Sequence, residues 1–222
     1  MKEYITSDNN TPFVFYGAGG SGKTAIVSKV ACLSVEEWLP PAKPLLIVRY
    51  CGTTPESSSL GPLLTSICRQ LCYTFLLKFE DIPDDVVPLT AFLKELLKRA
   101  TEQMPFLIFL DSVDALVGSQ DGNKMSWLPT KLPKHSKIVV SVTREENNAK
   151  LNADYDLLTK LITKEEQFLE VTELGPELAW KVMKLWMETG GRDLNNYQWR
   201  VVANAVQKCS LPIYVKLVFA EI

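Results

Sequence analysis

The sequence predicts an α/β fold: a largely parallel sheet flanked by helices, followed by a small helical module at the C-terminal end. Three observations carry that expectation. Short apolar runs of strand length alternate with longer amphipathic stretches. A glycine cluster lies between the first run and the first stretch, where a strand must turn sharply into a helix. Beyond Leu174 the strand-like runs cease and only helical patterns remain. With 222 residues, 46% hydrophobic and 23% charged, the chain has the composition of a folded protein with a real core. At about 150 residues per domain, one main body and a small appendage are expected.

Pro12 to Tyr16 is the first apolar run, and after Gly22 a helical pattern places Ile26, Val30 and Leu33 on one face. Pro40 and Pro41 stop it. Leu45 to Tyr50 reads as the second strand. Leu60 to Leu77 reads as a helix, with Leu63, Ile67, Leu71 and Phe75 recurring every four residues. Phe79 to Pro88 is expected to be an acidic, proline-bearing loop, and Thr90 to cap a helix running through Ala100. Phe106 to Leu110, Ile138 to Val142 and Phe168 to Val171 complete the strands. Pro176 then opens a helix that runs through Met187 and closes at Gly190 and Gly191. Helices at about Tyr197 to Lys208 and Pro212 to Ala220 follow it. The expected domains are therefore residues 1–173 for the α/β body and 174–222 for the helical module.

Counting narrows the function. The 24 basic and 26 acidic residues give a net charge of −2, so no global positive field exists to grip a nucleic-acid backbone. No apolar run approaches the ~18 residues of a spanning helix. The start MKEYITSDNN lacks a signal-peptide pattern, which places the expected location in the cytoplasm. Five scattered cysteines without a CxxC pair read as buried free thiols. The single histidine, His135, reads as a surface-loop residue, so a histidine-based triad or multi-histidine metal site is poorly served. Trp180 and Trp186, with Leu178, Val182 and Leu185, read as a packing stripe. Lys78 to Asp85 reads as a solvated loop.

Chemistry is concentrated in Gly17-Ala18-Gly19-Gly20-Ser21-Gly22-Lys23-Thr24, which fits the phosphate-binding loop GxxxxGK[ST]. The glycines let backbone amides curl around phosphates, and the helix that follows offers free N–H groups and its positive dipole end. In that reading Lys23 reaches the β and γ phosphates and the Thr24 hydroxyl ligates Mg²⁺. A second carboxylate-bearing strand end is then needed near the metal. Asp111, at the end of Phe106-Leu107-Ile108-Phe109-Leu110, supplies it, and Asp114 follows. The residues alone leave Asp111 open as a helix N-cap and Asp114 as a solvated loop acid. Guanine specificity lacks its motifs: Asp114 stands where DxxG needs glycine, and Asn123-Lys124-Met125-Ser126 lacks the final acid of NKxD. ATP is therefore favoured over GTP.

The chain resembles the NACHT group of signal-transducing P-loop ATPases, of the STAND class, and within it the animal proteins that join a NACHT module to WD repeats. The resemblance rests first on Phe13 to Ala25, Val48 to Ser59 and Leu110-Asp111-Ser112-Val113-Asp114. Ser141-Val142-Thr143-Arg144 resembles the family's sensor strand end, and Cys209-Ser210-Leu211-Pro212 its GxP element. It implies that Gly17 to Ala25 hold the nucleotide, that Arg144 senses the γ-phosphate, and that Pro212 packs on the adenine. By residue type alone, Arg144 is equally a surface ion-pair partner and Pro212 an ordinary helix-starting proline. Many relatives carry glycine at the position of Ser112 and a second acid at that of Ala115. Their absence leaves Asp114 as the base candidate and implies slow hydrolysis.

The expected function is an ATP/ADP-binding molecular switch with slow Mg²⁺-dependent hydrolysis that regulates assembly or signalling. Protein partners and nucleotide-dependent self-association are expected, and nucleic acid is not. An efficient P-loop ATPase or kinase and a non-hydrolysing nucleotide-binding scaffold are the alternatives. The family would continue past residue 222 into a winged helix and repeats, so the module is expected to be truncated.

Overall fold

The structure, a computed structural model, describes residues 1–39, 42–117, 125–146 and 148–222. The proline stop at Pro40 and Pro41 and the Asn123-Lys124 pair lie outside them. Five strands form one sheet: β1 (Phe13–Gly17), β2 (Leu45–Tyr50), β3 (Phe106–Asp111), β4 (Ser136–Thr143) and β5 (Phe168–Glu170). Every pairing is parallel and the order is β2-β3-β4-β1-β5. The chain thus leaves β1 toward one edge, works back inward to β4, and crosses to the other side of β1 for β5. Ligands of open α/β sheets bind outside the carboxyl ends of strands at such a reversal.

Alternation along the strands builds two layers. Val14, Ile47, Phe106, Ile108, Leu110, Ile138, Val140 and Val142 face α3 (Leu60–Thr74), α4 (Val86–Leu97) and α5 (Ala149–Leu161). Phe13, Phe15, Leu107, Phe109 and Val139 face α1 (Lys2–Thr6) and α2 (Lys23–Leu33). All six residues of β3 are buried, as a central parallel strand covered on both faces requires. Three of the five free thiols, Cys51, Cys68 and Cys72, are buried, while Cys32 and Cys209 are half-buried.

Several boundaries differ from the sequence expectation for identifiable reasons. α4 begins at Val86, after Asp85, and not at Thr90. Pro88 falls in its first turn, where the missing N–H has no helical acceptor to lose, and the Thr90 hydroxyl donates back to Val86 O at 2.7 Å instead of capping. The helix ends at Leu97, short of Ala100. Two helices, α1 and α5, were not expected. α1 is pinned under β4: the Tyr4 hydroxyl lies 2.9 Å from Thr11 O and 3.1 Å from Ile138 O. Buried Lys137 Nζ donates to Ser7 O and Asn9 O and lies over the Tyr4 ring.

Residues beyond β5 form α6 (Pro176–Thr189), α7 (Asn196–Lys208) and α8 (Pro212–Glu221). They share a core of Ala179, Met183, Val202, Val206 and Val215. Asn195 caps α7 with a reciprocal Gln198 capping box. In α6 the buried line is Ala179, Met183 and Met187, one residue displaced from the expected stripe, and Leu178 and Leu185 face outward. Trp180 and Trp186 pack at the side, against Trp199 and Phe219 respectively.

Candidate functional site

The glycine-rich loop spans the gap from β1 to α2 at the carboxyl end of the sheet. Gly20 and Gly22 adopt φ values of 78° and 98°, which side-chain-bearing residues rarely hold, and Gly22 is the N-cap of α2. Lys23 is buried, and its Nζ donates to Gly17 O and Ala18 O, each at 2.9 Å. Burial pushes its pKa down, and the charges of Asp114, Asp111 and Glu145 oppose that shift. Ala18 O also accepts from Ser21 N at 3.2 Å. Ala25, on the exposed first turn of α2, completes the segment.

Asp111 ends β3 beside the loop and is 3% exposed. Thr24 Oγ1 donates to its Oδ2 at 2.7 Å, and Ser141 Oγ donates to its Oδ1 at 2.6 Å. Ser141 Oγ in turn accepts Ser112 N–H at 2.7 Å, which holds Ser112 in a left-handed conformation with φ of 57°. β4 lies between β1 and β3, so this small serine bridges the space that separates the acid from the loop strand. Asp114 sits in the single turn Val113–Ala115 that follows, where its charge acts on both Lys23 and Cys51.

Arg144 lies elsewhere. Its side chain is exposed and its guanidinium stacks on Tyr155 (4.9 Å) and Tyr16 (5.5 Å), while its N–H donates to Gly17 O at 3.0 Å. Pro212 starts α8 directly above the loop: a Cβ on Gly22 would lie 3.6 Å from Pro212 Cγ. The next residue is closer still. Ile213 N donates to Gly20 O at 3.3 Å, and a Cβ on Gly20 would stand 2.4 Å from Ile213 Cγ2. Glu145 and Ile213 escaped the sequence reading, and Ser141 entered it only within the sensor-like strand end and not as the partner of Asp111. Its trace there is a lone hydroxyl in the apolar run Ile138 to Val142.

The donor set suits a nucleotide with Mg²⁺. Thr24 and Asp111 present hard oxygens side by side, the small protein share that Mg²⁺ takes when phosphate oxygens and water complete its octahedron. Among the described residues no group of three His, Cys, Asp or Glu side chains forms a self-sufficient metal cage. Ser21 Oγ, in the loop itself, is buried without a hydrogen-bond partner among them, a costly state that fits a cradle for a polar group.

Comparison with known proteins follows the same lines. The family described as "NACHT domain" matches residues 11–189. Human NACHT and WD repeat domain-containing protein 2 is 31% identical over 216 residues, covering 95% of this chain and 12% of that protein. The chain therefore spans about one eighth of that relative's length. Among solved structures, the Aeropyrum pernix ORC1 protein in complex with DNA aligns with a TM-score of 0.59 at 14% identity, over 98% of this chain and 55% of that one. A Walker-type ATPase of Pyrococcus abyssi aligns with a TM-score of 0.54 at 14% identity, over 98% and 64%. At that identity the two structures speak for the fold alone.

Proposed function

The chain belongs to the NACHT domain family, and on that premise we propose that it is an ATP-operated switch with slow hydrolysis, its helical module reporting on the nucleotide held by the loop. The observation that carries this reading is the seating of α8 on the loop, where Ile213 bonds Gly20 O and Pro212 faces Gly22. Phosphate binding and module position then share one short piece of backbone. Residues 1–173 act as the nucleotide-holding body and 174–222 as the part that moves.

Each residue takes a role in this scheme. Lys23 exchanges the Gly17 and Ala18 carbonyls for phosphate oxygens, the Gly17 to Ala25 backbone cradles them, and Thr24 and Asp111 hold Mg²⁺. The bound metal supplies charge neutralisation at the phosphates. Asp114 serves as the base, and Pro212 meets the adenine. Arg144 serves as the γ-phosphate sensor, for which it must leave Tyr16 and Tyr155. That stack supports slow turnover, because a cation held on two rings resists release.

Among the described residues no helix is long and apolar enough to cross a membrane, and we place the protein in the cytoplasm. Outward-facing Leu178, Leu185, Val201 and Leu217 on the module support docking of protein partners or of further copies. Single-turnover kinetics with Mg·ATP test the scheme. Turnover well below 1 per second is expected, and ~10 per second, the median for enzymes, would replace the switch with an efficient ATPase.

A further inference from the structure

Glu145 reaches the glycine-rich loop from just beyond the end of β4. Its Oε1 accepts the backbone N–H of Gly19 at 2.7 Å. A Cβ built on Gly19 would stand 3.3 Å from the same oxygen, so glycine at this position is what leaves the carboxylate room to approach. The contact is braced from behind. Asn152 of α5 accepts from Glu145 N and donates to Glu145 O, each at 2.8 Å, and so fixes both backbone polar groups of the residue. A carboxylate and a phosphate oxygen seek the same partners, namely a backbone N–H of a helix-opening loop and an ammonium group. Both are anionic, and one N–H does not serve both at full strength.

We propose that Glu145 is a built-in competitor for the phosphate loop: an acidic gate that an incoming nucleotide phosphate must displace from Gly19. The gate rests on the reading that the loop holds nucleotide, and adds control over which nucleotide enters. Its repulsion grows with the charge on the ligand, so it disfavours the triphosphate more than the diphosphate. Asn152 sets its strength, because the clamp on the Glu145 backbone keeps the carboxylate over the loop. Access to the site is thereby tied to α5, which lies outside the motif.

Glu145→Gln removes the charge and keeps the size and the ability to accept from Gly19. Mg·ATP and Mg·ADP are titrated calorimetrically into the unmodified 222-residue chain and the variant, with thermal melts to verify folding. The variant is expected to bind Mg·ATP about 10-fold tighter and Mg·ADP by a smaller factor. Asn152→Ala, which frees the Glu145 backbone and leaves its charge in place, is expected to move affinity in the same direction. Equal or weaker binding by Glu145→Gln, beside normal binding by the unmodified chain, overturns the gate and leaves the nucleotide reading standing. Unchanged affinity with slower single-turnover hydrolysis also overturns it, by making Glu145 a general base. If neither the unmodified chain nor any variant binds nucleotide, the nucleotide reading fails and the gate falls with it.

Discussion

Ser141 donates its hydroxyl to Asp111 at 2.6 Å although 30 residues separate them in sequence, and the same oxygen accepts the N–H of Ser112. One serine on the strand between the loop strand and the acid strand therefore orients the carboxylate and fixes the turn that carries Asp114. Ser141→Ala leaves a buried carboxylate oxygen and a backbone N–H without that partner. A loss of about 1 to 3 kcal/mol in urea unfolding is expected, with weaker Mg²⁺-dependent nucleotide binding. Unchanged stability would show that water replaces the hydroxyl freely.

Lys23→Ala is expected to weaken Mg·ATP binding by at least about 100-fold, since the phosphates lose their nearest cation. The fold should survive. Only two loop carbonyls lose a donor, and removing a buried ammonium relieves a desolvation cost, so the unfolding free energy should change by about 1 kcal/mol or less. Calorimetric titration and a urea melt read the two effects separately, and retained affinity in a folded variant would sink the phosphate-loop assignment.

Gly20→Ala places a methyl carbon 2.4 Å from Ile213 Cγ2, on a backbone with φ of 78°. The loop or α8 must give way. Faster amide exchange at Ile213, whose N–H is bonded to Gly20 O, is the expected signature. Adding Ile213→Ala should restore part of the loss, with a coupling energy of about 1 kcal/mol in a double-mutant cycle. Strict additivity would mean that the two residues do not feel each other.

Buried lysines and buried thiols pull stability in opposite directions as the pH rises on the alkaline side. Burial lowers the Lys137 pKa to about 8, so between pH 8 and 9 the folded chain sheds this proton while the unfolded chain keeps it, and folding gains about 1 kcal/mol. Lys23, shifted in the same direction, adds to the gain. From about pH 8.5 upward the thiols oppose that gain. Burial holds the Cys51 and Cys68 thiols up to about 12, so the unfolded chain ionises first and folding loses stability. Lys137→Met should remove about 1 kcal/mol of gain between pH 8 and 9 in urea melts at stepped pH and leave the thiol-driven fall in place.

Local chemistry was legible in the sequence, and contacts between distant segments were not. β2 matches its apolar run at both ends, because a buried parallel strand is a continuous run bounded by turn residues. The phosphate loop is legible because its backbone geometry demands glycine at fixed spacing. α5 with its C-cap does carry apolar residues at helical spacing, Leu151, Tyr155, Leu158 and Ile162, although Leu158 is the one residue of the helix that is fully buried. Pro88 disguised the start of α4. Glu145 meets Gly19 across 126 residues and Arg144 finds Tyr155 only once α5 is in place, and no spacing rule reports either contact.

The distribution of thiols gives the molecule a ready-made ruler. Cys32 lies on α2 of the sheet-bearing body and Cys209 at the turn into α8, while the other three are sealed in the core. The bond from Cys32 to Glu36 raises its pKa and slows its attack on an electrophile. At neutral pH a maleimide dye should therefore mark Cys209 first and Cys32 second. Sequential labelling then yields a donor and an acceptor on the two parts without a single engineered residue, and energy transfer between them follows the helical module relative to the phosphate loop in real time.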